Sequence, residues 1–287
     1  MVATCMVVVE VAGMAIASWS FSQLEILMPR KSHDLGFAEV ADQVDVLQTG
    51  SLRCFAVLSP GVESKVKAIE AEYVGRERLA AHGLRPRMTI LLAGHYGCGK
   101  TMVAERVARN VGLPLVKVLH QRLEERTGLS RVLQFARQCR CVLLLSGSPL
   151  LAGNVGGMSS RDRTCYDDLV GCLDSYSLPG LLIATANQVP VDAGASIGLW
   201  RMFDEVVDIG RPGADEIKRL LAMSLSSIPV DDDVDWNRIS CMLAGMSAKS
   251  IVSVARNAAK AAILAGRKSV AYRDLATEAD SAVHKLF

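Results

Sequence analysis

The sequence predicts an α/β fold in which a parallel sheet carries helices on both faces and is followed by an all-helical segment. Before Pro212, short apolar runs alternate with stretches whose apolar residues recur at a helical period. Such alternation is typical of strands that pair in parallel and are covered by helices. After Pro212, only helical periods remain. The 287 residues, 50% of them hydrophobic and 22% charged, suffice for a large and a small domain.

The first predicted helix and strand lead to a glycine-rich turn. Residues 29–55 are polar and irregular, and a linker is expected near Pro29. Val62–His82 has apolar residues at helical spacing among charged ones. Thr89–Ala93 is a short apolar run bounded by Pro86 and Gly94, as expected of a buried strand. Thr101–Val111 then places its apolar residues on one helical stripe.

The alternation continues through the rest of the sheet. Further apolar runs predict the strands Pro114–Leu119, Val142–Leu145, Leu181–Ala186 and Glu205–Ile209. Helical periods between them predict Leu129–Gln138 and Asp162–Tyr176. The helices predicted after Pro212 are Ala214–Leu225, Trp236–Leu243, Ala248–Leu264 and Tyr272–His284.

Charge and cysteine content exclude some classes of function. A net charge of +2 without a basic run gives no electrostatic reason to expect nucleic-acid binding. The 8 cysteines form no CxxC pair, and we expect reduced, buried thiols. Met1–Phe21 carries no charge other than Glu10, which would cost about 2.5–3.5 kcal/mol at a membrane centre. A packed element or a start codon placed too early is favoured over a membrane span.

The segment Gly94-x-x-Gly97-x-Gly99-Lys100-Thr101 fits the Walker A pattern of P-loop nucleotide-binding proteins. It follows a predicted strand and opens a predicted helix, which is the context that the motif requires. Glycines let the loop curl around phosphate oxygens, and the helix start adds its positive dipole end. Lys100 is expected to reach the β- and γ-phosphates, and the Thr101 hydroxyl to bind Mg²⁺.

The predicted site binds ATP and Mg²⁺ through the loop and the start of the helix. The predicted nucleotide-binding residues are Gly94, His95, Tyr96, Gly97, Cys98, Gly99, Lys100, Thr101 and Met102. Cys98 lies near a helix N-terminus, which should lower its thiol pKa. Either a redox role or a small residue in a small-residue position explains it, and we favour the second.

With these motifs the chain resembles the AAA family from about Leu58 to His284, and most closely small bacterial stand-alone AAA ATPases. The resemblance rests on four segments besides Walker A. They are the lead-in Arg76–Arg87, the strand Ile183–Asn187, the segment Leu199–Glu205, similar to the family's second region of homology, and Gly245–Ile251, similar to the start of a lid helix.

The resemblance implies roles for two catalytic candidates besides Lys100. Asn187 corresponds to the sensor-1 residue, and Arg201 is either an arginine finger for a neighbouring subunit or a surface arginine paired with Asp204. It also implies a cytoplasmic homo-oligomer, with a hexameric ring as the expected form, that acts on a protein partner. The expected division is an N-terminal extension (1–55), a large nucleotide-binding domain (56–211) and a helical lid domain (212–287).

The sequence departs from the family pattern at three places. After Val142–Leu145 the family's Walker B motif has Asp-Glu, which hold Mg²⁺ and activate water, but this chain has Ser146-Gly147. Asp162, Asp167 and Asp168 either substitute for them or form a solvated helix face, which we favour. Met202 stands where a second basic residue is usual. The segment Leu123–Gly128 lacks the family's aromatic pore-loop residue, so threading of polypeptide is not expected.

Two functions follow from these observations. The first is an AAA ATPase that remodels a protein partner, with hydrolysis slow or lost because the Walker B carboxylates are missing. The second is a non-hydrolysing scaffold or regulatory subunit that uses ATP as a switching ligand.

Overall fold

A six-stranded sheet organises the first part of the chain. The computed structural model describes residues 40–284 except 54–55, 120, 122, 124–128, 147–158, 176–177 and 188–198. The strands are β1 (Val44–Leu47), β2 (Thr89–Ala93), β3 (Leu115–Val118), β4 (Val142–Leu145), β5 (Leu181–Ala186) and β6 (Glu205–Asp208). Their order in the sheet is β1-β3-β4-β5-β2-β6. The β1–β3 pair is antiparallel, and every other pair is parallel.

Helices separate the strands and make up the rest of the described chain. They are α1 (Pro60–Val74), α2 (Arg76–Ala81), α3 (Lys100–Asn110), α4 (Ser130–Gln138), α5 (Ser160–Ser175), α6 (Ala214–Ser224), α7 (Trp236–Met242), α8 (Ala248–Leu264) and α9 (Tyr272–His284). The predicted α/β fold with a parallel sheet and a following helical segment is confirmed. The predicted helix Val62–His82 is divided in two at Gly75, which ends α1 and precedes α2.

The strand β1 was not expected, because the segment up to residue 55 reads as irregular. It adds an antiparallel edge to the sheet through the pairs Val44 with Val118 and Val46 with Val116. Val44 and Val46 are buried, whereas Asp45 between them is exposed. The alternation is correct for a strand with one buried face, but four residues are too few to stand out from a polar surrounding.

The central strands are buried on both faces of the sheet. In β2, Leu91 packs into one apolar cluster, whereas Ile90 and Leu92 pack into the other. The helices α4 and α5 cover the first face, and α1 and α3 cover the second. This burial explains why β2, β4 and β5 appear in the sequence as continuous apolar runs rather than alternating ones.

The helices after β6 build an apolar core of their own. Leu221 of α6, Ile239 of α7, Val254 of α8 and Leu275 of α9 are all buried in it. We call α6–α9 the lid. The boundaries at residues 55 and 211 stay predictions. No helix in the described ranges is long and apolar enough to span a membrane, and residues 1–28, where the apolar N-terminal stretch lies, are outside these ranges.

Candidate functional site

The glycine-rich loop joins the carboxyl end of β2 to the amino end of α3. Gly97 and Gly99 have φ angles of 81° and 100°, in the left-handed region that favours glycine. A Cβ on Gly94 would collide with the carbonyl oxygen of Ile209, so β6 and the loop can lie together only if residue 94 is glycine. The residue types of the motif are therefore explained by the backbone that they form.

Lys100 is held over the loop that precedes it. Its Nζ donates hydrogen bonds to the carbonyl oxygens of Gly94 at 2.6 Å and His95 at 3.0 Å. Burial lowers the pKa of the Lys100 ammonium below its ordinary value. A bound anion would favour the charged form again, so the side chain is well placed for phosphate.

The start of α3 supplies further groups to this site. The first N–H groups of a helix have no acceptor within the helix, and they therefore bind anions readily. Thr101 is half-buried beside Lys100. Met102 packs against the apolar cluster below the loop. These positions are consistent with a phosphate cradle, with Met102 contributing to its support from the core.

Three other residues of the predicted loop differ in exposure. His95 and Tyr96 are exposed, and Tyr96 retains 74% of its accessible surface. Cys98 is buried, and burial raises the pKa of its thiol. The expectation that the helix N-terminus lowers this pKa is wrong, because desolvation outweighs the neighbouring positive charges. The small-residue interpretation of Cys98 is the better one.

Asn187 and Ser146 lie at the same edge of the sheet as the loop. Ala93, the last residue of β2, pairs with Ala186, and Asn187 follows directly. Leu145, the last residue of β4, pairs with Ala184, and Ser146 follows it. The structure thus brings the sensor-1 candidate beside the loop and places Ser146 where the Walker B carboxylates are expected. Gly147 lies outside the described residues, as do residues 124–128 of the pore-loop segment.

Two aspartates of α5, Asp162 and Asp168, have structural partners. Asp168 accepts a hydrogen bond from the Leu129 N–H at 2.9 Å, and burial raises the pKa of its carboxyl. It therefore supports the start of α4, which corrects the interpretation of Asp168 as part of a solvated face. Asp162 accepts from the Ser159 hydroxyl at 2.8 Å, and Asp167 is exposed.

Arg201 lies at the opposite edge of the sheet from the loop. It belongs to a 3₁₀ turn, Leu199–Met202, that ends shortly before β6 begins beside Ile90. Its guanidinium lies 5.2 Å from the centroid of the Trp200 ring. Asp204, the partner proposed for a surface pair, accepts hydrogen bonds at 2.9 Å from the Met88 and Thr89 N–H groups.

The lid contacts the loop through residues to which the sequence had assigned no function. A Cβ on Gly97 would lie 2.9 Å from Ser247 Oγ and 3.0 Å from Lys249 Cβ. The Lys249 N–H donates to the Gly97 carbonyl at 2.9 Å. Arg211 donates to the Gly245 carbonyl and so joins the β6–α6 connection to the lid. A lysine in the first turn of a helix, against the helix dipole, is the signal that could have indicated this contact.

Comparison with known proteins agrees with this geometry. The family model "ATPase family associated with various cellular activities (AAA)" matches residues 90–211. The chain is 33% identical over 242 residues to the uncharacterized AAA family ATPase y4kL of Sinorhizobium fredii, with 82% of this chain and 72% of that protein covered. The chain belongs to the AAA family.

More distant relatives of this AAA protein are longer. It is 24% identical over 245 residues to the ATP-dependent zinc metalloprotease FtsH 2 of Sorangium cellulosum, which covers 79% of this chain and 40% of the relative. It is 25% identical over 257 residues to the ATPase family gene 2 protein of Schizosaccharomyces pombe, which covers 83% of this chain and 31% of the relative. The AAA protein thus spans less than half the length of these two relatives.

Proposed function

We propose that this AAA protein binds ATP at residues 94–102 and hydrolyses it slowly or not at all. One pair of observations carries the proposal. Lys100 lies over a left-handed glycine loop at the end of β2, whereas Ser146 directly follows β4 at the same edge of the sheet. The first feature suits triphosphate binding, and the second lacks the carboxylate that would activate water.

Mg²⁺ has fewer candidate ligands than the nucleotide. Thr101 is the proposed protein ligand, and since Mg²⁺ usually keeps several waters, water and phosphate oxygens complete its shell. In the part of the chain that the structure describes, no three His, Cys, Asp or Glu side chains form a group that could hold a metal ion. When bound with the nucleotide, Mg²⁺ supplies positive charge to the phosphates. With Thr101 as the proposed protein ligand, the site fits a Mg²⁺ ion that is held weakly by the protein itself.

The absence of the Walker B carboxylates should lower the rate of ATP hydrolysis by a definite factor. Removal of a general base typically lowers the rate by about 10²–10⁴-fold. Asn187 remains beside the loop and can orient water, but an amide cannot accept its proton. Lys100, Asn187 and Arg201 are therefore the proposed catalytic set of a site that binds better than it cleaves.

We propose that the protein acts on a protein partner as a homo-oligomer, a hexamer by family habit, in the cytoplasm. The position of Arg201 supports assembly, because the length of β2 separates its edge of the sheet from the loop of its own chain. The alternative is a non-hydrolysing scaffold in which ATP orders the lid against the loop. The contacts of Gly97 with Ser247 and Lys249 support this alternative, because they link the nucleotide-binding loop directly to the lid.

The test compares binding with turnover. Equilibrium ATP titration and phosphate release are measured for the wild type and for a Ser146→Asp, Gly147→Glu double variant. We expect the wild type to bind ATP with little or no phosphate release, and the double variant to release phosphate faster. Lys100→Ala should abolish binding in both backgrounds. Equal turnover in wild type and double variant would contradict slow hydrolysis, and a folded wild type that binds no ATP would contradict the whole proposal.

A further inference from the structure

Charge is divided unevenly along the lid. Residues 231–233, which lie between α6 and α7, are three consecutive aspartates, and we call them the acidic loop. Residues 236–273 contain no acidic residue, although α8 and the turn after it carry five lysines and arginines. The lid therefore has a negative part and a positive part, each with its own electrostatic field.

The charges of the lid differ in whether they have partners. Arg267 donates to both carboxylate oxygens of Asp274, which fixes the turn after α8 to α9. By contrast, Arg256 and Lys260 of α8 are exposed, and within the described ranges they make no ion pair and no side-chain hydrogen bond. The same holds for Asp232 in the acidic loop. These groups are available to charges outside their own chain.

The unpaired cations lead along α8 to an exposed apolar pair. Arg256 and Lys260, the cationic stripe, and Leu264 recur at intervals of four residues. They therefore follow one face of the helix over about 12 Å, at about 1.5 Å per residue. Leu264 retains 87% of its accessible surface and Ile263 retains 59%. Exposed apolar side chains beside charged ones are typical of protein–protein contacts.

The acidic loop lies beyond the carboxyl end of α8. The Asp231 N–H donates to the Val270 carbonyl at 3.0 Å, and Val230 pairs with Val270 in a parallel bridge. Val270 belongs to the turn that follows the apolar pair, Ile263 and Leu264. The cationic stripe, the apolar pair and the acidic loop therefore follow one another along the lid.

We propose that two copies of this chain associate through their lids, in an antiparallel contact centred on Leu264. Arg256 and Lys260 of one copy then face Asp232 and Asp233 of the other, and the apolar pairs of both copies exclude water between them. A surface whose apolar part lies between unlike charges is self-complementary, because a two-fold axis through its middle brings the unlike charges together. A second copy thus supplies every group that the surface needs, in the required order.

This contact is independent of the proposed nucleotide site. The nucleotide-binding loop touches the lid at Lys249, near the amino end of α8, whereas Leu264 is the last residue of that helix. The two positions are about 22 Å apart along the helix at about 1.5 Å per residue. Changes at the apolar pair should therefore leave ATP binding unaltered.

Cross-linking measures whether the two copies meet at Leu264. Leu264→Cys is made in a Cys241→Ser background, which removes an exposed native thiol, and is treated with a short bismaleimide. Ala222→Cys, at an exposed position of α6 in the same lid, is the matched control. We expect the Leu264→Cys protein to give at least about tenfold more covalent dimer than the control, and less at high salt.

Charge reversal tests the antiparallel arrangement in the same Leu264→Cys, Cys241→Ser background. Arg256→Glu with Lys260→Glu should lower cross-linking by about tenfold or more, and so should Asp232→Lys with Asp233→Lys. A mixture of these two proteins should regain the dimer, because unlike charges face each other again on both sides of the axis.

A second pair of cations controls for the change in net charge. Arg78→Glu with Arg85→Glu removes the same charge from exposed positions outside the lid and should not change the cross-linking of the Leu264→Cys protein.

The outcomes separate this contact from the proposed function. A wild type that binds no ATP would contradict the nucleotide site, whereas the cross-linking result would still decide the lid contact. As much dimer from Ala222→Cys as from Leu264→Cys, or a mixture of reversed proteins that stays monomeric, would contradict the lid contact. Binding of phosphatidylserine vesicles through Arg256 and Lys260, without a covalent dimer, would assign the stripe to a membrane surface and would also overturn the proposal.

Discussion

Glu63 and Glu70 show how one buried arginine affects two neighbouring carboxylates differently. Arg106 of α3 donates to the Glu63 oxygens at 2.6 and 2.8 Å, and its Nε lies 3.4 Å from Glu70 Oε1. The hydrogen bonds from Arg106 lower the pKa of Glu63. Burial raises the pKa of Glu70 in spite of the same arginine. Hydrogen bonding therefore decides the direction of the pKa shift for Glu63, and burial decides it for Glu70.

The stability of the protein should depend on pH in opposite ways through these two groups. The lowered pKa of Glu63 stabilises the fold above the ordinary value of 4.5, and this contribution is lost as the pH falls through its folded pKa. We expect Glu63→Gln to cost about 1–3 kcal/mol at pH 7, with a smaller cost at pH 3.5. Urea unfolding at pH values between 3.5 and 7 measures this change in unfolding free energy. Glu70→Gln is the control. Because the pKa of Glu70 is raised, its ionised form is disfavoured in the fold. The cost of Glu70→Gln in unfolding free energy should therefore be smaller at pH 7 than at pH 3.5, the opposite of Glu63→Gln.

Gly97 should be needed for lid contact as well as for its backbone conformation. A Cβ at this position would press on Ser247 and Lys249, whereas Gly112, with a similar φ of 74°, has nothing within 4 Å of a Cβ. We expect both alanine variants to lose about 1–2 kcal/mol of stability from left-handed strain. Gly97→Ala alone should also weaken ATP binding, by about tenfold or more. Equal ATP affinities for the two variants, measured by titration, would show that the lid contact does not matter.

The loop residues were predictable from the sequence because the Walker A motif fixes both spacing and residue type. The contact of Lys249 with the Gly97 carbonyl was not predictable, since it joins residues that are far apart in the chain. The pKa of Cys98 was predicted with the wrong sign, because its burial depends on packing around the loop. Local motifs reveal a site, whereas its electrostatics depend on what folds over it.

At the scale of elements, Asp204 fastens the start of β6 to the start of β2. Its Oδ2 accepts from the Met88 N–H, the Thr89 N–H and the Thr89 hydroxyl, each at 2.9 Å. The Asp204 N–H donates back to the Thr89 hydroxyl at 2.9 Å. These bonds fix the segment that follows Arg201 to the strand that carries the loop.

Asp204→Ala should therefore destabilise the protein more than an ordinary surface substitution. Three donors lose a charged acceptor, and we expect a loss of about 2–3 kcal/mol in the free energy of unfolding. The exposed Asp233 provides the comparison, since Asp233→Ala should change stability by less than about 0.5 kcal/mol. The urea midpoints of the two variants, compared at an unchanged m-value, measure the difference in stability. Similar midpoints for both variants would mean that the hydrogen bonds of Asp204 contribute little to stability.

Buried central strands and long amphipathic helices were predicted closely, whereas an edge strand was not. The boundaries of Val142–Leu145, Leu181–Ala186, Ala248–Leu264 and Tyr272–His284 agree with the structure. The edge strand β1 escaped prediction, because its pairing with β3 is non-local and its residues are few. Asp168 was also misread, because its bond to Leu129 joins two helices that are separate in sequence.

At the scale of the whole molecule, the sheet separates Arg201 from the loop of its own chain. The five residues of β2 span roughly 16 Å at about 3.3 Å per residue. Arg201 lies at the amino end of this strand pair and the loop at the carboxyl end. A side chain cannot cover that length, so any action of Arg201 on a phosphate requires a second subunit.

Arg201→Ala should therefore leave ATP affinity within about twofold of wild type. In the Ser146→Asp, Gly147→Glu background, it should lower phosphate release by about 10³-fold or more if Arg201 acts as an arginine finger. Mixing these Arg201→Ala subunits with Lys100→Ala subunits in the same background should restore part of the turnover, because one partner supplies the loop and the other the arginine. A mixture as inactive as its components would assign Arg201 to the surface of its own subunit.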